Sequence, residues 1–558
     1  MSTTLPNVLT RVALDHPDRG ITVFDGRGRR GERRTYAELL DTVRTAAGRW
    51  AALGIRPGDR VIVALNTSWP LLEAWLGAVW LGALPVALAP GGAVGGGEAH
   101  IKRLAGLVQR LGPTTVLTSP RFATEAETLA NDHPEIAESL RTAAARARAA
   151  APFAETPAAS VEAATPHPDD IAFLQLTSGS TGHPRAVMIP HRTVIHNNNA
   201  SAGAIGAPRG GSVFDTADSV VAWLPLNHDM GLVGCLFMAL MGGLELVLLP
   251  PTAFLARPQT WLRELGRNGR VFSPAPNFGY QLCVERLATD DPVLADLDLA
   301  GWDNAMTGAE MIRPETIEAF QHRFAGAGFR PEAFRPCYGL AEGTLAVTFD
   351  IQGRGARWRP SPSGEDVVSV GEPIADTRIE IRKPDGGVCP DGAVGEVCVS
   401  GPSVFAGYWN DPEATAESLR DGWLHTGDLG FLHDGELYLT GRLKDLLIIR
   451  GHNVMPHELE WLAESVVGGG GALRSGAFTI DGGGQGEQAV VVVEVATDLD
   501  RLADADHEIR KRIGRELSLT VADVAFVRRG RIPKTTSGKV KRRELRQRYL
   551  DGALDRLI

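Results

Sequence analysis

Leu174-Gln-Leu-Thr-Ser-Gly-Ser-Thr-Gly-His-Pro-Arg-Ala-Val-Met-Ile-Pro190 sets a loop rich in hydroxyls and glycines between two apolar runs. Phe173 to Leu176 and Val187 to Ile189 have the length and composition of short buried strands, so Thr177 to Ala186 reads as a tight turn between two sheet elements. Thr177, Ser178, Ser180 and Thr181 offer hydroxyls, while Gly179 and Gly182 let backbone N–H groups converge on one spot without a Cβ in the way. Such a cradle suits phosphate. A plain surface turn needs far fewer residues of this kind, and no Gly-Lys-Ser/Thr closes the loop as in a Walker motif.

Working outward, the 558 residues are 44% hydrophobic and 22% charged, enough for a large globular core in one mixed domain plus a smaller one. A formal charge of -10 argues against nucleic acid as the main partner. Met1 to Gly20 carries Arg11, Asp15, Asp18 and Arg19 and no apolar centre, so no secretory signal is expected and the cytoplasm is the expected compartment. Cys235, Cys283, Cys337, Cys389 and Cys398 are scattered, without metal-like spacing, and read as reduced core residues. The run from Leu71 to Val94 is interrupted by Glu73, Pro85 and Pro90, which favours a buried helix and strand over a membrane span. Only seven of the 57 basic residues are lysine, among them Lys444 and Lys539.

Leu39, Leu40, Val43, Ala47, Trp50 and Leu53 fall at helical spacing before Gly54, and short β-rich runs at 60–65 and 84–89 flank another apolar helical run at 71–81. Helices alternating with strands imply an α/β fold: a large N-terminal domain of covered parallel or mixed sheets. Residues 123–168, rich in alanine and proline, read as a helix and a loose connector. Strands at 220–224 and 245–249 enclose an apolar helix at 231–241, and from Val368 to Ser400 the Asp-Gly and Gly-Gly turns suggest a small antiparallel subdomain. A boundary near Gly441 divides 1–441 from a small α+β C-terminal domain, 442–558, ending in a basic tail from Arg528 to Arg548.

Six further stretches carry chemistry. Asn227-His228-Asp229 stands where a strand passes into a helix; there His228 could meet or admit a carboxylate, or the pair could merely cap the helix. Thr307-Gly308-Ala309-Glu310 and Tyr338-Gly339-Leu-Ala-Glu342 each place a carboxylate just after a strand, with an aromatic suited to a purine and Glu342 suited to Mg²⁺ beside phosphate. Thr426-Gly-Asp428 offers a carboxylate for ribose hydroxyls, with Gly441-Arg442 about a dozen residues on. In the tail, Pro533-Lys-Thr-Thr-Ser-Gly-Lys539 holds a lysine on a flexible loop.

In order and spacing, this set resembles the AMP-forming acyl-adenylate superfamily of acyl-CoA synthetases, peptide-synthetase adenylation domains and luciferases, over nearly the whole chain. His228 to Gly231, Phe272 to Phe278 and Leu446 to Asn453 are similar to the fatty-acyl-AMP ligase branch of actinobacterial lipid and natural-product pathways. The resemblance implies two half-reactions: a carboxylate and Mg·ATP give acyl-AMP, which a thiol then attacks. It implies that Thr177, Ser178, Gly179, Ser180, Thr181, Gly182 and Arg185 grip phosphates, and that Gly308, Ala309, Glu310, Tyr338 and Gly339 frame adenine. Glu342 would hold Mg²⁺, Asp428 with Arg442 the ribose, and Lys539 would bridge carboxylate and α-phosphate. His228 would gate the acyl carboxylate, while Lys444 would be the hinge of a mobile C-terminal domain that swings Arg450-Gly451 in for the thiol step. Phe237, Asn277, Phe278 and Thr344 are the candidates for the acyl pocket. The cofactors are ATP or AMP, Mg²⁺ and coenzyme A; the partners are a hydrophobic carboxylic acid or its acyl-AMP, with coenzyme A or an acyl carrier protein as acceptor.

Two departures qualify the resemblance. The ligase branch usually has an insertion before Ser-Val-Gly, thought to oppose domain rotation; here Phe349 to Asp366 is short, which leaves room for coenzyme A. The phosphate loop usually ends Pro-Lys-Gly, whereas this chain has Pro184-Arg185-Ala186. If the last position required positive φ or a bare backbone beside phosphate, alanine would cost about 1 kcal/mol, and the Arg185 guanidinium is a wider planar fork where the pattern has a point charge. Together these give an alternative in which adenylation is impaired and a pre-formed acyl-AMP is the main substrate. A non-catalytic acyl-adenylate binder is a third reading, opposed by Glu342, Asp428 and Lys539.

Overall fold

The computed structural model describes residues 3–91, 97–112, 114–177, 184–206, 212–351, 353–362, 364–449, 452–467, 474–481, 487–495, 502–517, 519–534 and 539–557. The fold is mixed α/β, with a large sheet-containing N-terminal domain and a smaller α+β C-terminal domain. Among the described residues the largest sheet has nine strands. Its parallel centre is Phe334–Gly339, Trp302–Thr307, Val271–Ala275, Ser219–Ala222, Glu245–Leu248 and Gly20–Val23, in that spatial order, with antiparallel strands at both edges. A second, four-stranded sheet is wholly parallel: Leu84–Ala87, Arg60–Val63, Thr114–Thr118 and Ala147–Ala149. Parallel strands buried on both faces need covering helices.

Helix Tyr36–Ala52 supplies one cover. Thr35 and Glu38 form a capping box at its start, its apolar stripe is buried, and Trp50 Nε1 donates to Ala74 O at 2.8 Å. Ala74 belongs to helix Trp69–Leu81, which is apolar on nearly every side because it packs between layers, and which stops at Gly82 with φ 82°. No helix among the described residues is long and apolar enough to cross a membrane. The five cysteines are free.

The alanine-rich stretch is more ordered than its composition suggests. It forms helices Phe122–Asp132, Ala137–Arg146 and Ala150–Glu155, because Ala126, Leu129, Ala130, Leu140 and Ala143 recur at helical spacing and are buried; the connector begins only after Glu155. The apolar run after His228 also differs from a plain helix: Leu232–Phe237 is a π-helical segment between Asp229–Gly231 and Met238–Gly242. Such segments shift the side-chain register and cluster at functional sites.

Strands Arg378–Arg382, Gly395–Ser400, Trp423–His433, Leu419–Arg420 and Glu436–Arg442 make the antiparallel sheet. After the 3-10 turn Leu443–Asp445 the apolar residues gather in separate cores around the strands Ser475–Asp481, Glu487–Val495 and Val521–Arg528 and the helices Pro456–Val467, Leu502–Leu517 and Arg542–Leu550. The short segment after Phe349 folds into a hairpin of Trp358–Pro360 with Asp366–Val368.

Candidate active site

The phosphate-type loop springs from an antiparallel pair, Ile171–Leu176 with Ala186–Pro190, closed at its base by Thr177 N donating to Arg185 O at 3.0 Å. Ser178, Gly179, Ser180, Thr181 and Gly182 lie outside the described residues, as do Arg450 and Gly451. Ala186 is an ordinary strand residue paired with Leu176 and is not among the positive-φ positions. The strain expected from its Cβ is therefore absent. Arg185 lies over the Tyr408 ring at 5.1 Å, with Nε 3.7 Å from Asp411 Oδ2.

A continuous cavity of about 1140 Å³ opens beside this loop. Its charged end collects residues from distant parts of the chain. Asp428 and Arg442 are directly opposite on neighbouring antiparallel strands, so Arg442 Nε reaches Asp428 Oδ1 at 2.8 Å. Tyr338 donates its hydroxyl to Asp428 Oδ2 at 2.7 Å, so Asp428 already holds two donors. That bond ties the phenol, whose ring is expected to stack on a purine, to the carboxylate opposite. The neighbouring glycines are sterically required: a Cβ on Gly339 would stand 1.9 Å from Leu345 O, and one on Gly308 2.6 Å from Cys337 O. Ala309 takes φ 66°, a strained backbone for a residue with a Cβ and of the kind that marks functional sites.

Glu342 comes just after the strand Phe334–Gly339 and accepts a hydrogen bond from the Tyr408 hydroxyl at 2.7 Å. Burial raises its carboxyl above the usual range, and the Tyr408 bond partly offsets this. Glu310 is engaged with protein: its Oε1 accepts from Phe278 N at 2.6 Å, and Arg474 lies 3.8 Å from its other oxygen. His228 and Asp229 both serve the turn they start, Nδ1 of the one and Oδ1 of the other accepting from Met230 N at 3.3 and 2.7 Å. His228 Nδ1 stands 2.7 Å from Asp229 Oδ1. Burial opposes ionisation of Asp229, yet His228 and Lys539 together hold it below the usual carboxylate value.

Lys539 comes from the far end of the chain to line the same cavity. Burial first, and then the Arg442 charge, lower its ammonium from the ordinary 10.5, against the pull of Asp229, Asp428 and Glu310. Contacts across the cleft hold that arrangement. Arg313 pairs with Glu464 at 2.6 Å and lies over the Trp461 ring at 4.8 Å, while Arg474 lies over Phe278 at 5.4 Å. In the basic tail, Arg542 is turned inward, bonding Glu460 at 2.9 and 2.8 Å. Lys444 is exposed in the 3-10 turn and borders the cavity.

The other end of the cavity is apolar. Met230, Gly234 and Met238 recur every fourth residue along the π-containing run and line the cavity together with Phe272, Leu345 and Phe349, Leu345 lying directly against Gly234. Of the residues expected there, Asn277 is on the wall, where Oδ1 accepts from Arg313 N at 3.1 Å. Phe237 and Thr344 are not. Phe237 points the other way, into a buried cluster with Trp75 and Phe173, and Thr344 is buried with its hydroxyl donating to Ser403 O at 2.7 Å. Phe278 sits behind the wall, edge-on to Trp223. Sequence reading missed Met230, Gly234 and Met238, whose period of four was visible, and Tyr408, Arg474 and Trp461, which no local pattern marks.

With this geometry in place, the comparisons are direct: the family model of AMP-binding enzymes matches residues 9–409. The chain belongs to the AMP-binding enzyme family. The enzyme is thereby an adenylating ligase that uses ATP or AMP. It is 33% identical to a long-chain-fatty-acid–AMP ligase of Mycobacterium marinum over 94% of this chain and 92% of that one. It is 37% identical to a medium-chain-fatty-acid–acyl-carrier-protein ligase of Moorena producens over 69% of each. A structure from work on fatty acyl-adenylate ligases of E. coli and L. pneumophila superposes with TM-score 0.84 at 32% identity, covering 99% of this chain and 98% of that one.

Proposed function

We propose that the enzyme joins a hydrophobic carboxylic acid of the fatty-acid class to ATP, forming acyl-AMP and pyrophosphate, and then passes the acyl group to the thiol of coenzyme A or a carrier protein. The observation that carries this reading is the meeting, in one cavity, of Lys539 with the Asp428–Arg442 pair at one end and an apolar arm at the other. Carboxylate attack on the α-phosphate concentrates negative charge on the oxygens between acid and nucleotide, and a compact ammonium can answer it. Lys539 takes that role, and Asp428, with two donors already attached, offers its remaining acceptor capacity to ribose hydroxyls. Ala309, Glu310 and Tyr338 border the adenine, His228 the acyl carboxylate, and Met230, Gly234 and Met238 the acyl chain.

Glu342 fits Mg²⁺: it is a partly buried carboxylate on the cavity wall, engaged by the Tyr408 hydroxyl through one oxygen, and a metal bound mainly through phosphates needs only one or two carboxylates. The ion would supply charge neutralisation of the phosphates. Residues 442–558 are read as a unit hinged at Lys444 that delivers Lys539 in the first half-reaction and withdraws it in the second. With Ala186 in an ordinary strand, the adenylation-impaired alternative loses its argument from backbone strain and keeps only its argument from Arg185 in place of lysine. The short hairpin after Phe349 is the observation that keeps coenzyme A beside the carrier protein as acceptor.

Alkanoate-dependent exchange of pyrophosphate into ATP, with thioester formation from the same acids then measured against coenzyme A and a carrier protein, tests the reading. Exchange is expected to require the acid and Mg²⁺. Absence of exchange with every acid, or exchange without any acid, refutes it.

A further inference from the structure

The apolar arm contains a polar atom that the protein leaves without a partner. Ser201 lies within helix His191–Gly206, is 0% exposed and borders the cavity, yet its Oγ makes no hydrogen bond among the described residues. Inside a helix a serine ordinarily turns its hydroxyl back onto the carbonyl four residues earlier, and a buried hydroxyl left unpaired is destabilising where alanine would not be. Thr193 and Asn197 of this helix are spent on structure. Thr193 Oγ1 donates to Pro190 O at 3.0 Å, and Asn197 clamps the strand Ala346–Phe349 by donating to Ala346 O at 2.8 Å and accepting from Ala346 N at 3.1 Å.

Ser201 is different in kind. Among the described residues whose buried polar side-chain atoms lack a partner, it is the one on the cavity wall. Asn198, three residues earlier and hence on the same side of the helix, leaves its Oδ1 unpartnered as well, although its Nδ2 donates to Val194 O at 3.2 Å. The helix packs against the π segment and against Ala346–Phe349, the elements that bring Gly234, Ala346 and Phe349 to the arm.

We propose that the acyl substrate carries a hydrogen-bonding oxygen along its chain or ring, a hydroxyl or an oxo group, that meets the Ser201 hydroxyl in the arm. The natural acid is then a hydroxy- or oxo-acid rather than an unsubstituted alkanoate. This rests on the arm being the acyl site. A neutral hydrogen bond recovered there favours the substituted acid by about tenfold, because the unsubstituted chain leaves the hydroxyl unpaired in a dry wall.

Pyrophosphate exchange is measured with alkanoates and with their hydroxy and oxo derivatives, the oxygen walked along the chain, for the full-length enzyme and for Ser201→Ala. The ratio of kcat/KM between a derivative and its parent acid is taken on one enzyme sample, so any loss of folded protein cancels. The expected result is a ratio of about ten at one or two positions, falling to about one in Ser201→Ala. A ratio that never exceeds one while the parent acids are turned over, or one that Ser201→Ala leaves intact, overturns the inference and spares the general function. Failure of every acid, parent and derivative alike, removes both.

Discussion

At the charged end of the cavity Asp428 accepts from Tyr338 and Arg442, and Glu342 accepts from Tyr408, so these carboxylates have partners before a ligand arrives. At the apolar end the wall includes Met230, Gly234, Met238, Phe272 and Phe349, and of its polar side chains Asn277 is paired whereas Ser201 Oγ has no partner among the described residues. Pre-paired charges need no reorganisation as charge develops, which is what a step common to all substrates requires. Under the proposed function, a wall of side chains and one unpaired hydroxyl would sort substrates instead, since deleting or adding a methylene there changes preference without touching the chemistry.

The largest way to break this contrast is at Lys539. Lys539→Ala is expected to lower pyrophosphate exchange by about 10²- to 10³-fold, with much less effect on thioester formation from supplied acyl-AMP; equal losses in both would remove the division of labour. The same residue sets a pH limit. Burial and Arg442 lower its ammonium, so the alkaline limb of kcat/KM for exchange, which reports the free enzyme, should fall below pH 10.5, with activity declining as the proton is lost.

At the apolar end, Gly234→Val places a Cβ 2.9 Å from the Leu345 Cδ2, the far end of a movable side chain. The arm should narrow rather than collapse, cutting kcat/KM for the longest acids by about tenfold relative to the shortest. A uniform loss across chain lengths would show that Gly234 serves the fold alone. Tyr408→Phe probes the charged end more gently. It removes the donor that offsets burial at Glu342, so that carboxyl rises further, the acid limb of the profile moves to higher pH, and exchange at neutral pH falls by about five- to tenfold.

The smallest effect is expected across the cleft. Arg313→Glu or Glu464→Arg alone should weaken exchange by about two- to fivefold, and the double exchange of charges should recover most of it. Recovery is the decisive reading, because a change that merely damaged either element would not be repaired by damaging the other.

Much of the charged end was legible from residue order. Tyr338, Glu342, Asp428, Arg442 and Lys539, which line one cavity, are each marked by short local patterns with glycines and polar side chains at set spacings; the loop after Leu176 is marked in the same way, and its residues 178–183 lie outside the described residues. The apolar end was not. Phe237 and Thr344 stand beside marked residues yet point away, because a π segment shifts the register of one and a φ of 68° turns the other. The suspected defect at Ala186 dissolved for a related reason: its neighbour across the hairpin makes it a strand residue, where a Cβ is harmless.

The sequence by itself determined the alternating α/β architecture and marked Tyr338, Glu342, Asp428, Arg442 and Lys539, which meet in one cavity, because hydrophobic period and glycine placement act locally. Only the tertiary structure decided which of those groups are paired in advance, that Arg313 meets Trp461 and Glu464 while Arg474 meets Glu310 across the cleft, and that the Ser201 hydroxyl is left without a partner among the described residues. Those facts depend on side chains hundreds of residues apart arriving at one point, and pairing across such distances leaves no periodicity for a sequence to display.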